Sequence, residues 1–208
     1  MAMITRRASI TVGISGSSGS VYAVRMLGIL PRYYERVDVV MSNSSRQVLR
    51  QETAIELPAE GPCAIPGLDA ESAERVVMWN NQNYFAPFAS GSNCPETMLI
   101  VPCSMSTVAS IAHGVDQNLM HHAAGVIIKE KRELIIVPRE TPLSAIHLRN
   151  LLTLAELGVT VIPAMPGFYS GQSTFDDLVD FVLQKILNQL AIPLKLSRRW
   201  GERGKDEG

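Results

Sequence analysis

Ile10-Thr11-Val12-Gly13-Ile14-Ser15-Gly16-Ser17-Ser18-Gly19 begins as a buried strand and ends as a turn made of the smallest residues. β-Branched side chains fill four of its first five positions, which suits a pleated surface covered on both faces. The serines and glycines that follow let a ligand approach the backbone. Residues 21–30 then have helix-forming composition, so loop amides and a helix N-terminus together would favour an anion, with phosphate the expected guest. The glycines fall at 13, 16 and 19, a spacing that is neither the dinucleotide fingerprint GxGxxG nor a P-loop with its GKS or GKT ending. The stretch therefore predicts strand, turn and helix, while a tight turn without a ligand stays open as the competing reading.

Outward from it the pattern repeats. Residues 36–41 read as a strand, and Ser42-Asn43-Ser44 supplies caps for a helix reaching Thr53. Ser42 then stands at a strand's C-terminal end, the edge where open α/β sheets bind ligands, and shares a crevice with the loop at Ser15 to Ser18. Residues 54–75, with three prolines and two glycines, read as irregular, 75–79 as a short strand, and 80–93 as a loop or lid. A buried strand over 97–101 runs into Pro102-Cys103-Ser104-Met105-Ser106-Thr107, followed by helices over 106–112 and 118–131. The next strand, 133–137, delivers Pro138-Arg139-Glu140-Thr141-Pro142, with Thr141 expected to cap a helix that holds Pro142 in its first turn and reaches Leu157. A last strand spans 159–163, and Thr174 to Asp177 has capping-box spacing before an amphipathic run over 178–190. Strands alternating with helices predict an α/β fold: a doubly wound, mostly parallel sheet with helices on both faces, a flavodoxin-like three-layer sandwich. One domain is expected over 1–192, with a C-terminal tail over 193–208 that carries Trp200.

A chain of 208 residues, 46% of them hydrophobic, suits a single core. Its 19 basic and 20 acidic residues leave a net charge of −1, which argues against nucleic acid or an anionic membrane as partner. No run approaches the roughly 20 apolar residues of a membrane span. Three cysteines, Cys63, Cys94 and Cys103, lack metal-ligand spacing and fit a reducing cytoplasm.

The three strand ends offer hydroxyls, amides, one guanidinium and one carboxylate but no metal cluster, so their chemistry would rest on a bound cofactor. Arg139 beside Glu140 reads either as a surface ion pair or, at a strand's edge, as functional. His121 and His122 adjoin on a helix, point about 100° apart and cannot chelate one ion. Ser104 and Ser106 with His147 invite a hydrolase triad, but no GxSxG elbow supports it.

The stretches GISGSSGSVYAVRML (13–27), ASGS (89–92), PCSMSTVASIAHG (102–114), KEKRELIIVPRETPLSAIHLRNLL (129–152), PAMPGFY (163–169) and TFDDLVDFVLQKIL (174–187) resemble, in order and spacing, the UbiX-type flavin prenyltransferases. That family was formerly described as aromatic acid decarboxylases. The resemblance implies a metal-independent transferase that joins a dimethylallyl group from dimethylallyl monophosphate to N5 and C6 of reduced FMN. The prenylated FMN would serve a UbiD-type decarboxylase, as in ubiquinone biosynthesis. By the same resemblance FMN would contact Gly16, Ser17, Ser18, Ser42, Ser104, Met105, Ser106, Thr107 and Arg139, in one flavin-binding domain. Lys129, Tyr169, Lys185 and the position of His122 would hold the donor phosphate, Trp200 would wall the prenyl group, and Ser18, Glu52 and Glu140 would stand at the reacting centre. Trimers packing into a cytoplasmic homododecamer, with sites at subunit contacts, are implied too. The chain departs from the family where RAAD is usual and His122-Ala123-Ala124-Gly125 stands here, which lowers phosphate affinity or makes it pH dependent. It also departs at Ser170-Gly171-Gln172, where a proline is common. Two rival readings are a non-catalytic FMN-binding or flavin-delivery paralogue and a flavin-dependent cysteine decarboxylase. The second would want a histidine near the first helix and a PASANT-like motif, whereas the first histidine here is His113 and the motif is PCSMST.

Overall fold

The computed structural model describes residues 6–169 and 171–198. It comprises two compact units, Met1–Pro163 and Ala164–Gly208. In the first, β1 (Arg7–Ile14), α1 (Ser20–Ile29), β2 (Tyr34–Met41), α2 (Asn43–Thr53), β3 (Gly61–Pro62), α3 (Ala70–Glu74) and β4 (Val76–Trp79) form one half. The other half is β5 (Thr97–Cys103), α4 (Met105–Ala112), α5 (Leu119–Lys129), β6 (Glu133–Pro138), α6 (Ala145–Glu156) and β7 (Thr160–Val161). The strands make one sheet in the order β3-β4-β2-β1-β5-β6-β7, parallel except for the β3–β4 pair. The chain winds outward from β1 in one direction and from β5 in the other, so the switch point lies between these two neighbours.

Burial explains the centre. Ile10, Val12, Ile14 and the whole of β5 are buried, as expected for strands covered on both faces. Gly13 is the close contact on one face: a Cβ there would lie 3.2 Å from side-chain atoms of Ile100 and Met120, so its absence lets α5 sit against the sheet. Met120 belongs to a buried cluster with Ile100, Val108, Ile127 and Leu154, which joins α4, α5 and α6 to that face. Pleat alternation turns Val12 and Ile14 to the other face, towards α1 and α2.

Several expected boundaries change. The irregular 54–75 segment contains β3 and α3, the latter capped by Asp69, whose carboxylate accepts from the Ser72 amide at 2.8 Å. Helix α6 is capped by Ser144, not Thr141, and Pro142 lies ahead of it. Ser144 Oγ accepts from the His147 amide (3.2 Å) while His147 Nδ1 accepts from the Ser144 amide (3.3 Å), a reciprocal box that Thr141 cannot form. The peptide bonds before Pro102 and Pro142 are cis.

The second unit contains α7 (Phe175–Gln189), opened by the expected capping box of Thr174 and Asp177. Gln184 ties the following segment to this helix: its side chain donates to the Leu194 carbonyl (3.1 Å) and accepts from the Leu196 amide (2.6 Å). Residues just past 192 are thus fastened to α7. Trp200 lies outside the described residues.

Candidate active site

Each C-terminal strand end at the centre of the sheet turns into a helix through a serine. Ser15 locks two of them together: its hydroxyl accepts from the Ser104 amide (2.6 Å) and donates to the Pro102 carbonyl (3.2 Å). Ser17 reaches the third, donating to the Arg139 carbonyl at 2.7 Å, while Arg139 Nε donates back to the Ser18 carbonyl at 3.2 Å. Two loops, 87 and 122 residues further along the chain, therefore converge on residues 15–18. All three loops share the edge that the sequence predicts, and Ser15, predicted only as part of the 15–18 loop, joins the first two.

The helix starts also match. Ser42 caps α2 by accepting from the Ser45 amide (3.1 Å), and Ser104 caps α4 by accepting from the Thr107 amide (3.3 Å). Ser42 and Ser44 bring their hydroxyls within 3.0 Å, as do Ser104 and Ser106. Gly16 makes the first pair possible, since a Cβ at that position would lie 2.1 Å from Ser44 Oγ. This close approach of backbone and hydroxyl, edged by the exposed hydroxyls of Ser18 and Ser106, presents donors of the kind that suit the phosphate and polar edge of FMN. Met105 and Thr107 are turned inward and buried.

One expectation is overturned. The amides at the start of α1 do not wait for a phosphate, because Glu52, at the far end of α2, fills that place. Its carboxylate accepts from Gly19 (3.0 Å) and Ser20 (2.8 Å). Burial would raise the Glu52 pKa, but hydrogen bonds from Ser18, Ser20 and Gly19 outweigh it and hold the carboxyl below its usual range. Glu140 at the third loop accepts from the Thr141 amide at 3.1 Å. Tyr22, within range of Arg139, has its phenol pushed up by burial, with the guanidinium acting the other way. Fully buried Cys103 is pushed up to about 12 and is not a nucleophile at neutral pH. His147 Nδ1 is committed to the α6 cap, which disposes of the hydrolase triad.

His122 and Lys129 lie elsewhere. Helix α5 starts beside Asn81, just past β4, and ends at Lys129, four residues before β6 begins. Lys129 is thus near the N-terminal edge of β6 and Arg139 just past its C-terminal edge, separated by about 20 Å of strand. Both α5 residues line a cavity of about 220 Å³ with Ser110, Asp116, His121 and Gly125, and no strand-end residue borders it. His122 bonds Asp116 through Nδ1 (2.5 Å) and the Ala89 carbonyl through Nε2 (3.0 Å). His121 is half-buried, and desolvation lowers its pKa against the pull of Asp116. In the second unit Tyr169 and Lys185 come together on Phe181: the rings meet edge to face at 5.5 Å, and Lys185 Nζ lies 5.0 Å from the Phe181 ring centre. Asp116 and Phe181 are thus two further members of these clusters that carried no signal of their own in the sequence.

A family profile described as Flavoprotein matches residues 3–187. The flavin prenyltransferase UbiX of Halalkalibacterium halodurans is 45% identical over 192 residues, 92% of this chain and 93% of its own. Among solved structures, AnUbiX (PadA1) in complex with FMN and dimethylallyl pyrophosphate superimposes with a TM-score of 0.81 at 32% identity, covering 96% of this chain and 100% of that one. A dodecameric FMN-dependent UbiX-like decarboxylase from Escherichia coli O157:H7 gives 0.81 at 33% identity, covering 93% and 100%. Identity at this level over 92% of the sequence makes the chain a member of the flavoprotein family and, within it, of the UbiX-type flavin prenyltransferases.

Proposed function

We propose that this protein is a flavin prenyltransferase that joins the dimethylallyl group of dimethylallyl monophosphate to N5 and C6 of reduced FMN. The observation that carries the reading is 45% identity over 192 residues, 92% of this chain, to a relative named for that activity. The convergence of the loops after β5 and β6 on residues 15–18 supports it from the side of geometry.

The bound reduced flavin supplies the electron-rich N5 and C6 to which the five-carbon group is joined. The chain's own residues do the rest. Gly16, Ser17, Ser18, Ser42 and the 104–107 turn hold the flavin, with Arg139 over the Ser18 carbonyl. Ser18 is exposed at the crevice with its side chain hydrogen-bonded to the Glu52 carboxylate, which stays ionised and orients the hydroxyl towards the reacting centre. Glu140 is the second carboxylate read as serving the reacting centre. Loss of phosphate from an allylic carbon leaves a delocalised cation and an anion; aromatic faces favour the first, and Lys129, His122 and Lys185 are read as holding the second.

Because Lys129 lies across the sheet from its own chain's crevice, we infer that it serves the flavin of another copy. Trimers assembling to a homododecamer would provide this, a reading supported by the dodecameric state of the Escherichia coli neighbour. The product would pass to a UbiD-type decarboxylase in the cytoplasm, in ubiquinone biosynthesis or a related route. Among the described residues no helix is long and apolar enough to cross a membrane.

Mixing the protein with reduced FMN and dimethylallyl monophosphate, then weighing the flavin by mass spectrometry, tests the proposal. A C5 addition is expected. Tight FMN binding without the adduct would leave a flavin-binding or delivery protein instead.

A further inference from the structure

We infer that Asp116 is a positioning residue for the prenyl donor, one that makes His122 work as a directed hydrogen-bond donor in the place where the family carries arginine. The inference rests on the proposed role of His122 as a contact to the donor's phosphate.

Arginine needs no help in such a role, because its guanidinium always carries several N–H groups. Histidine needs a partner, since a neutral ring has one N–H and one bare nitrogen. Here both ring nitrogens face oxygens that only accept, the Asp116 carboxylate at 2.5 Å from Nδ1 and the Ala89 carbonyl at 3.0 Å from Nε2. Each contact is a hydrogen bond only with hydrogen on that nitrogen. Asp116 is the charged acceptor and makes the stronger bond; Ala89 offers a neutral carbonyl.

The ring is also fixed in plane. Tyr84 meets it edge to face, with centroids 5.4 Å apart and planes at 71°. Asp116 lies in the turn between α4 and α5, outside helical register with His122, and both line the cavity that Lys129 closes two turns further along α5. Gly125, between them, leaves its side of the cavity open, because a Cβ there would meet nothing within 4 Å. A phosphate entering this cavity can take the place of the Ala89 carbonyl at Nε2. Asp116 meanwhile keeps Nδ1 engaged and the ring aimed. With Nδ1–H held by the carboxylate, donation to phosphate from the far side of the ring needs hydrogen on Nε2 as well, the doubly protonated ring that both contacts describe.

The test is a cycle of variants in FMN-loaded protein, with donor affinity read by calorimetry of dimethylallyl monophosphate, so that binding is seen whether or not transfer follows. Asp116→Asn is expected to weaken donor binding about tenfold while FMN affinity, read by quenching of flavin fluorescence, is unchanged. In a His122→Arg background the same Asp116→Asn change is expected to alter donor affinity less than twofold, because the guanidinium needs no orienting acid. Three results would overturn the inference. Donor affinity unchanged or improved by Asp116→Asn, while His122→Ala weakens it, would leave His122 its role and Asp116 none. Equal weakening in both backgrounds would mean that Asp116 acts through some other group. A silent His122→Ala would remove the His122 contact along with everything built on it.

Discussion

At the strand ends, functional side chains are tied to one another across the fold. Ser15 bonds Ser104 and Pro102, Ser17 bonds Arg139, and Glu52 bonds the start of α1. At the α4–α5 cavity the charged ties are short in sequence, His122 to Asp116 six residues away and Lys129 to its neighbour Glu130 at 3.7 Å, while the longer ones, to the Ala89 carbonyl and the Tyr84 ring, are uncharged. The first region is an assembled receptor inside one chain. The second is a helix face carrying His122 and Lys129, with no strand-end residue beside it. A shape that must fit the flavin is thus built by long-range contacts, whereas charge for a small anion needs only a helix face.

The sharpest way to break this contrast is at Gly16. Gly16→Val places branched carbon where Ser44 already stands, and FMN binding measured by fluorescence quenching is expected to fall more than a hundredfold. Gly125→Ala, where a Cβ meets nothing, is expected to leave it unchanged. Ser15→Ala leaves the buried Ser104 amide without its acceptor and is expected to cost about 1–3 kcal/mol in urea unfolding. Lys129→Ala is expected to raise the KM for dimethylallyl monophosphate about tenfold while FMN affinity stays the same. An equal loss of both would merge the two regions into one.

The smallest effect concerns Glu52. Its folded-state pKa is depressed, so its stabilising contribution is present above the unfolded-state value and is lost as pH falls through the folded-state value. Glu52→Gln is therefore expected to lower Tm slightly at neutral pH and to match the parent protein in acid. Solvent screening keeps the difference under about 1 kcal/mol.

Much of this was readable beforehand, because buried strands leave apolar runs and their ends leave serines and glycines. Ser42 could be named among the caps of α2 on that ground alone. Ser144 gave no such signal, because His147 at the third helical position is not the glutamate or glutamine that advertises a capping box. Glu52 gave no hint of its destination, since its partners lie 32 and 33 residues back and a lone carboxylate at a helix end is ordinary. Asp116 was equally silent, its spacing from His122 belonging to no regular element.

The direction of α5 carries one more consequence. On the proposed assembly, a helix that takes Lys129 away from its own flavin crevice would make turnover a property of the ensemble of chains, not of each chain. Diluted past the point of dissociation, the protein would go on binding flavin normally while its specific activity fell away, so that a plot of rate against protein concentration would curve upward.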